Sequence, residues 1–520
     1  MAHHPPHPYP DQIAPDSRLH PEPLPPPPGV KLRIPEVATP LSRLAAKDFG
    51  SGVSPKPEFW RWLAGTTVGW VVFAGVLLFV SWLLYFLVWL FKVIFQDRPA
   101  ISGGLGEGIG NIVALILVLI MVTATLLTMA ERKWSALMQD RVGPNRARLP
   151  LPLLSERPLK GIPHILADVL KMLFKEDFIP QGATGNKFLF NLAPLLAFAP
   201  AFCLFAVVPV GPEITLWGRR IALQVARVDW GILYVFALAS LAVFGTALAG
   251  WTSNNKLALL GGLRASAQLV SYEVTLGLTL VGTFVVFGTL RLDSMVAQQG
   301  PSEALLRSAM ATGSSVDGTL VFGWLPGWGA LFQPLGMVLF LVAAMAEIKR
   351  APFDTPEGES EIIGYFLEYS GLKSGLFLIA EFAEVVVIAG NVTAIFLGGY
   401  HIPWFEPQLA RAFGLTGLAV LQVFAFLVKM LLLIWVQMLA RWAFPRFRYD
   451  QIMRLGWKMM LPISLVNVAL SAGIWLWAGR EGLAWMGILE WAALLFFLAL
   501  SAGTKESAEP GSHSTTAAAH

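Results

Sequence analysis

Long apolar runs, each about the length of a membrane crossing, constrain this sequence more than any other feature. A bilayer core about 30 Å thick requires roughly 20 apolar residues for one helical crossing. Such runs recur from residue 66 to residue 502, and only 14% of the side chains are charged, against about a quarter in soluble domains. The sequence therefore predicts an all-α fold, a polytopic transmembrane helical bundle.

We place ten candidate spans along the chain. They lie at 66–91, 110–130, 188–210, 231–251, 265–288, 329–346, 375–398, 415–440, 459–478 and 483–502. With the N-terminal segment placed in the cytoplasm, most Lys and Arg residues fall in segments on that side. Because cytoplasmic loops of membrane proteins are enriched in basic residues, we expect both termini to be cytoplasmic.

Two polar tails flank the predicted transmembrane domain of residues 59–503. Residues 1–58 are rich in Pro and His and carry too little apolar surface to fold, so we predict a disordered tail. Its histidines could bind a metal, but we interpret them as part of a low-complexity segment. They are His3, His4, His7 and His20. We expect a second disordered tail at 504–520, and no signal peptide.

The chain has few means of binding a redox cofactor. Cys203 is the only cysteine, whereas an iron–sulfur cluster normally needs about four ligands. Neither a G-x-G-x-x-G nor a P-loop motif is present. The net charge of +4 is distributed over the loops, which argues against a nucleic-acid partner. We therefore expect this chain to bind no metal and no cofactor.

Several carboxylates occur where the bilayer makes them costly. Glu273 lies inside the predicted span 265–288, and Glu381 and Glu384 lie three residues apart inside 375–398. A charge at the bilayer centre costs at least about 2.5 kcal/mol, and desolvation favours the neutral acid, so such groups can accept and release protons. The structural alternatives are a hydrogen bond from Glu273 to a neighbouring helix and an ion pair between Glu384 and Lys429.

Two predicted cytoplasmic loops carry unusual patterns. In the first, apolar residues recur at helical spacing opposite Asp168, Lys171 and Lys175, which predicts an amphipathic interfacial helix or, alternatively, a plain solvated face. In the second, acids are concentrated between residues 347 and 368. Acidic runs are usually solvated, but a series of carboxylates leading toward Glu381 and Glu273 would form a proton path.

Several long motifs of the chain resemble the H subunit family of NADH-quinone oxidoreductase, respiratory complex I. They lie at 131–133, 139–146, 167–171, 267–273, 346–354 and 445–451. The resemblance runs from about residue 111 to residue 468. The family has eight spans, so the spans at 66–91 and 483–502 look like additions, and the stretch 147–160 resembles an insertion.

The resemblance implies a membrane subunit of a proton-translocating NADH-quinone oxidoreductase in the bacterial cell inner membrane, inactive when alone. It implies quinone as the substrate, with NADH, FMN and iron–sulfur clusters in partner subunits. The implied partners are the peripheral-arm quinone-site subunits and small membrane-arm subunits, besides membrane lipid. The implied quinone-chamber residues are Arg132, Arg141, Asp168, Lys171, Arg350 and Phe353. The implied proton path comprises Glu273, Glu347, Glu357, Glu359, Glu361, Glu368 and Glu381.

Two other functions fit parts of the sequence. Intramembrane acids suit a stand-alone secondary ion transporter, although we find no internal repeat of the kind that many transporters have. The same superfamily also includes membrane anchors of hydrogenase-type complexes, whose partner would be a nickel–iron subunit rather than a flavin-binding one.

Overall fold

Apolar helices build most of the computed structural model, which describes residues 56–95, 105–139, 143–144, 162–180, 186–302, 304–307, 320–321, 325–358 and 361–506. In a lipid environment every backbone N–H and C=O needs an internal partner, and a helix supplies these partners locally. The predicted tails lie outside the described residues except at their inner ends, Lys56 and Glu506. The histidine set and the predicted insertion at 147–160 also lie outside them.

The helices are numbered in chain order. Their bounds are α1 Lys56–Ile94, α2 Leu105–Asn111, α3 Val122–Met138, α4 Ile162–Phe174, α5 Lys187–Cys203, α6 Gly231–Thr252, α7 Lys256–Phe287, α8 Leu292–Gln298, α9 Gly329–Phe332, α10 Pro334–Glu347, α11 Gly371–Phe396, α12 Glu406–Ala443, α13 Tyr449–Arg454 and α14 Leu461–Glu506. π-Helical segments, Ile112–Met121 and Leu455–Met460, join α2 to α3 and α13 to α14, and a 3₁₀ turn, Leu204–Val207, follows α5.

Two small antiparallel hairpins complete the described elements. Strands β1, Gly211–Leu216, and β2, Arg219–Leu223, pair with each other, as do the two-residue strands β3, Leu320–Val321, and β4, Leu325–Pro326.

Eight helical segments among the described residues are long and apolar enough to cross a membrane. They are Trp70–Ile94, Gly106–Ala136, Lys187–Val207, Gly231–Thr252, Lys256–Phe287, Gly371–Phe396, Glu406–Ala443 and Tyr449–Gly479. Helix α10 is apolar but shorter, with 14 residues, and it corresponds to the predicted span 329–346. The predicted all-α polytopic bundle is therefore confirmed.

Glycines and a cap set several helix bounds that the apolar pattern misplaces. Helix α7 begins before the predicted residue 265 because the Asn255 side chain accepts a hydrogen bond from the N–H of Leu257 at 3.0 Å, which is an N-cap. Gly414 (φ 70°) and Gly479 (φ 60°) interrupt α12 and α14, because glycine adopts positive φ without a steric penalty. The interruption at Gly479 separates the predicted spans 459–478 and 483–502.

Polar contacts attach the final segment of α14 to the rest of the bundle. The indole N–H of Trp491 donates to the carbonyl of Ala330 at 2.9 Å, and the N–H of Leu335 donates to the Glu490 carboxylate at 3.1 Å. Leu335 lies in the first turn of α10, where backbone N–H groups have no partner within the helix. Glu490 therefore accepts a hydrogen bond at the N-terminal end of α10, and Glu347 lies at the C-terminal end of the same helix.

Helix α7 fixes the loop between α10 and α11, residues 348–370. The Gln268 amide donates to the carbonyls of Ala346 at 2.7 Å and Phe353 at 3.0 Å, and it accepts from the Thr355 hydroxyl at 3.0 Å. Gln268 is fully buried, so each bond replaces one that water would otherwise make. One side chain thus holds the acidic loop against the bundle.

Helix α7 also approaches this loop closely at a glycine, which gives a first testable prediction. A Cβ at Gly261 would lie 2.9 Å from the Tyr365 nitrogen and 3.1 Å from the Pro356 carbonyl oxygen. Gly261→Ala should therefore destabilise the assembled protein by about 1–3 kcal/mol through overpacking, seen as a lower thermal midpoint. Gly277→Ala is the matched control, since nothing lies within 4 Å of its Cβ position. Equal midpoints for the two variants would contradict this close packing.

Candidate functional site

The described part of the chain contains a cavity of about 1000 Å³ at one end of the bundle. The ends of α3 and α12, the helices α4 and α11, and the loop 348–370 form its wall. Apolar side chains and ionisable ones share this wall. The ionisable ones are Glu131, Arg132, Asp168, Arg350, Asp354, Glu357, Glu381, Arg441 and Arg446. A cavity with this mixed wall suits a ligand with an apolar body and a polar head.

Arg350 is the central cation of the cavity wall. Its Nη1 donates to Glu131 Oε2 at 2.9 Å, and its Nη2 lies 4.0 Å from Glu381 Oε2. Its guanidinium lies 3.9 Å from the centre of the Phe382 ring, and Arg441 also pairs with Glu131. Burial lowers the pKa of Arg350, although Glu381 and Glu357 oppose the shift. Two cations and two acids therefore form one buried network.

The loop 348–370 adds a second group of ionisable side chains beside this network. The Tyr365 hydroxyl donates to Glu381 at 3.4 Å, and the Lys349 ammonium lies 5.7 Å from the centre of the Tyr365 ring. Burial and the neighbouring Glu381 raise the pKa of Glu357 well above its usual value. Burial alone would lower the pKa of Lys349, but the surrounding carboxylates raise it above its ordinary value. The surroundings therefore favour the neutral form of Glu357 and the charged form of Lys349.

The structure brings together half of the predicted quinone-chamber residues. Arg132, Asp168 and Arg350 line the cavity, and Arg132 pairs with Asp168. Phe353 lies behind the wall, 3% exposed and packed between Tyr272 and Phe447. Lys171 is exposed on α4 and is not among the residues that line the cavity. Arg141 lies outside the described residues.

The predicted proton-path acids divide into two groups. Glu357 and Glu381 line the large cavity, Glu347 lines a second cavity, and Glu273 accepts a hydrogen bond from Ser240 of α6. The other described acids lie apart from these. The Glu361 side chain is 60% exposed and pairs with Arg264 at 3.1 Å, and Glu368 accepts from Asn255 at 2.7 Å. Glu359 lies outside the described residues.

The structural alternative for Glu384, an ion pair with Lys429, is wrong. The Lys429 ammonium donates to three backbone carbonyls beyond the C-terminus of α11, those of Leu397 at 2.7 Å, Gly399 at 3.0 Å and His401 at 2.7 Å. Glu384 lies at the middle of α11, more than three helical turns before Leu397, and it shares a cavity there with Lys349 and Glu347. The sequence shows only that both residues lie in apolar spans, which does not fix their depth.

Sequence reasoning missed six ionisable residues of the site, which are Glu131, Lys349, Asp354, Tyr365, Arg441 and Arg446. Glu131 and Lys349 lie inside recognised motifs, but their type and position are equally typical of interface anchoring. Tyr365 and Arg441 belong to no pattern that marks a buried site. The contact of Arg350 with Glu131 joins residues 219 positions apart, so no local signal predicts it.

The amphipathic helix is present as predicted and lies at the cavity wall. Helix α4 spans Ile162–Phe174, and it leaves Leu166, Leu170 and Leu173 exposed at 52%, 42% and 53%. Its other face supplies Asp168 and Met172 to the cavity. An exposed row of leucines is favourable against lipid and unfavourable in water. The helix is therefore suited to lie between the cavity and the membrane interface.

Comparison with known proteins identifies similar membrane proteins. The NADH dehydrogenase family model matches residues 110–472. An H subunit of the NADH-quinone oxidoreductase of Geobacter metallireducens is 43% identical over 363 residues, covering 70% of this chain and 94% of that protein. The corresponding protein of Cytophaga hutchinsonii is 39% identical over 361 residues, covering 69% and 94%. That of Bdellovibrio bacteriovorus is 38% identical over 397 residues, covering 71% and 98%. Helix α1 and the end of α14 lie outside the family match.

Proposed function

The chain belongs to the NADH dehydrogenase family that includes the H subunit of NADH-quinone oxidoreductase, and from this premise we propose that it forms the quinone chamber of such an enzyme. The cavity of about 1000 Å³ beside an amphipathic helix is the observation that carries the proposal. A quinone has a polar head and a long apolar tail, and it reaches an enzyme from within the bilayer. The apolar part of the wall suits the tail, and the Arg350 network suits the head.

The ionisable wall supplies what the chemistry of quinone reduction requires. Reduction to a quinol adds electrons and protons to the head, so proton donors must lie close to it. A neutral Glu357 provides a proton, and Arg350 stabilises negative charge that forms before the proton arrives. We therefore assign Arg132, Asp168 and Arg350 to the chamber wall, and Glu357 and Glu381 to its proton supply.

The buried acids extend the proposal from quinone reduction to proton translocation. Negative charge that arrives in the chamber raises the pKa of every facing carboxyl, and the low dielectric strengthens this coupling. Protons taken up at Glu357 and Glu381 then move along Glu347 and Glu273 toward the rest of the membrane arm. The redox step drives proton movement through this electrostatic coupling.

The remaining parts of the enzyme are proposed to come from partner chains. NADH, FMN and iron–sulfur clusters belong to peripheral-arm subunits, which dock at the chamber end of this chain and supply electrons. Small membrane-arm subunits contact its lateral surface. The chain alone is then inactive, resident in the bacterial inner membrane with both termini in the cytoplasm. A flavin-binding, nicotinamide-oxidising partner that co-purifies with it supports this assignment, and a nickel–iron subunit contradicts it.

A bulky side chain in the chamber provides the direct test. Val169 on α4 lines the cavity, whereas Leu173, one turn later, is 53% exposed and not among the lining residues. Val169→Trp in the assembled complex should raise the KM for a long-tailed quinone about tenfold, equivalent to about 1.4 kcal/mol of lost binding. Leu173→Trp should leave the KM unchanged.

A soluble artificial electron acceptor serves as the control for both variants. NADH oxidation with that acceptor should be equal in wild type, Val169→Trp and Leu173→Trp, because it bypasses the chamber. If Val169→Trp leaves the KM for the long-tailed quinone unchanged, the cavity does not bind the substrate.

A further inference from the structure

A second, smaller cavity lies deeper in the bundle than the chamber. Its volume is about 50 Å³, and the helices α6, α7, α10 and α11 line it together with Lys349. A cavity of at least about 10–15 Å³ can hold one water molecule. The space is therefore sufficient for more than one water molecule, provided that polar groups face it.

Three ionisable side chains face this cavity: Glu347 from α10, Lys349 from the loop and Glu384 from α11. The Glu384 Oε2 atom is buried and has no hydrogen-bond partner among the described residues. A buried carboxyl oxygen without a hydrogen-bond partner destabilises the folded protein, because it has lost its bonds to water. Water in the cavity would satisfy this oxygen and would also contact the other two groups.

The two cavities are linked by neighbouring pairs of residues. Arg350 and Glu381 line the chamber, and Lys349 and Glu384 line the small cavity. Lys349 is adjacent to Arg350 in sequence, and Glu384 follows Glu381 by three residues, which places both acids on one face of α11. The loop 348–370 and helix α11 thus supply one cation and one acid to each of the two cavities.

We propose that Lys349 and Glu384 form a proton-transfer station, with water in the small cavity carrying protons between the chamber acids and Glu347. The inference rests on the proposed function, because it concerns the route that protons take after they leave the chamber. The proton path predicted from the sequence contains neither Lys349 nor Glu384.

The transfer step balances without any co-reactant. The neutral carboxyl of Glu384 loses its proton to a cavity water, and the same water gives a proton to the carboxylate of Glu347. The O–H bond of Glu384 and one O–H bond of the water break, a new O–H bond forms on the water and another on Glu347, Glu384 becomes the anion, and the net charge of the cavity is unchanged. The Lys349 ammonium faces the cavity with both acids, so it stabilises whichever one is ionised.

Filling the cavity tests the role of water while every ionisable group stays in place. Ala239 of α6 lines the small cavity, and Ala237 on the same helix is exposed. In the assembled complex in proteoliposomes, Ala239→Leu should lower the turnover of quinone reduction and proton pumping at least about tenfold, since a positioned proton-transfer group typically contributes about 10²–10⁴-fold. Ala237→Leu should leave both rates near those of wild type.

Substitution of the acid itself provides the second arm of the test. Glu384→Gln should lower pumping as Ala239→Leu does, whereas Glu384→Asp should retain much of the wild-type rate. The double variant, Ala239→Leu with Glu384→Gln, should be no slower than either single variant, because both changes block the same step. If Glu384 had only a structural role, Glu384→Asp would not retain the rate, and the losses in the double variant would be additive. Unchanged pumping in both Ala239→Leu and Glu384→Gln would overturn the proposal.

The kinetic constants separate this inference from the proposed function. A blocked proton station lowers kcat and leaves the quinone KM unchanged, whereas a blocked chamber raises the KM. If Val169→Trp has no effect on the KM but Ala239→Leu slows pumping, the large cavity is not the quinone chamber, whereas proton transfer through the small cavity is still supported. The opposite pattern overturns the station alone. The amount of this chain that co-purifies with the complex shows whether each variant is assembled, and NADH oxidation with the soluble acceptor shows that electron entry is intact.

Discussion

Replacing Arg350 by methionine is expected to destabilise the assembled complex by about 3–5 kcal/mol, because it leaves buried acids without their cation. Glu131 and Glu381 are 8% and 5% exposed, and Arg350 lies 2.9 Å and 4.0 Å from their carboxylates. Arg441 remains beside Glu131 but is not paired with Glu381 in the described contacts. The thermal midpoint of the purified complex should fall, together with its quinone reductase activity.

A surface arginine supplies the matched control for this prediction. Arg448 pairs with Asp450, but its side chain is 81% exposed, and exposed ion pairs contribute about 0–1 kcal/mol. Arg448→Met should therefore leave the midpoint nearly unchanged. Arg350→Lys should be intermediate, because lysine keeps the charge but cannot contact two carboxylates with one planar group. Equal midpoints for Arg350→Met and Arg448→Met would show that the buried network does not stabilise the protein.

Substituting Glu357 should remove a large pH dependence of stability. Its pKa in the folded protein lies well above the ordinary value of 4.5, because burial and Glu381 disfavour the charge. The folded state then binds more protons than the unfolded state, so stability falls as the pH rises from about 4.5 to the raised pKa. Each tenfold difference in proton affinity between the two states corresponds to about 1.4 kcal/mol. Glu357→Gln keeps the side chain neutral and should lose less stability over that interval.

Thermal midpoints of the wild type and of Glu357→Gln, measured from mildly acidic to mildly alkaline pH, provide the comparison. The difference between the two curves isolates this one carboxyl from the other groups that titrate. Glu361→Gln is the control, since the Glu361 side chain is 60% exposed, and its curve should parallel that of wild type. A Glu357→Gln curve that also runs parallel would mean that Glu357 is not held neutral.

The helices could be predicted from the sequence because each depends on a local property, the apolar run. Their exact ends could not, since these depend on single residues. Asn255 extends α7, and Gly414 and Gly479 interrupt helices whose apolar pattern continues on both sides. Helix α10 was predicted within the apolar run 329–346, which Gln333, with its non-helical φ and ψ, divides into α9 and α10.

The composition of the site could be predicted, but its arrangement could not. Glu357 and Glu361 are four positions apart in one acidic run, yet the first is buried beside Glu381 and the second is exposed beside Arg264. The path of the loop decides between these outcomes, and Gln268 and Gly261 of α7 fix that path. Lys349 and Arg441 join the site through contacts that are distant in sequence, which composition and spacing do not encode.

Proton pumping by a Glu273→Gln variant tests the central claim most directly. Glu273 lies on α7 and accepts a hydrogen bond from Ser240, so glutamine preserves its shape and removes only its ability to carry a proton. In the assembled complex, pumping should fall at least about tenfold. Glu213→Gln, on strand β1 with a half-exposed side chain paired to Arg227, should pump as wild type does. If Glu273→Gln pumps at the wild-type rate, with an unchanged number of protons for each electron, buried carboxylates do not carry protons through this chain.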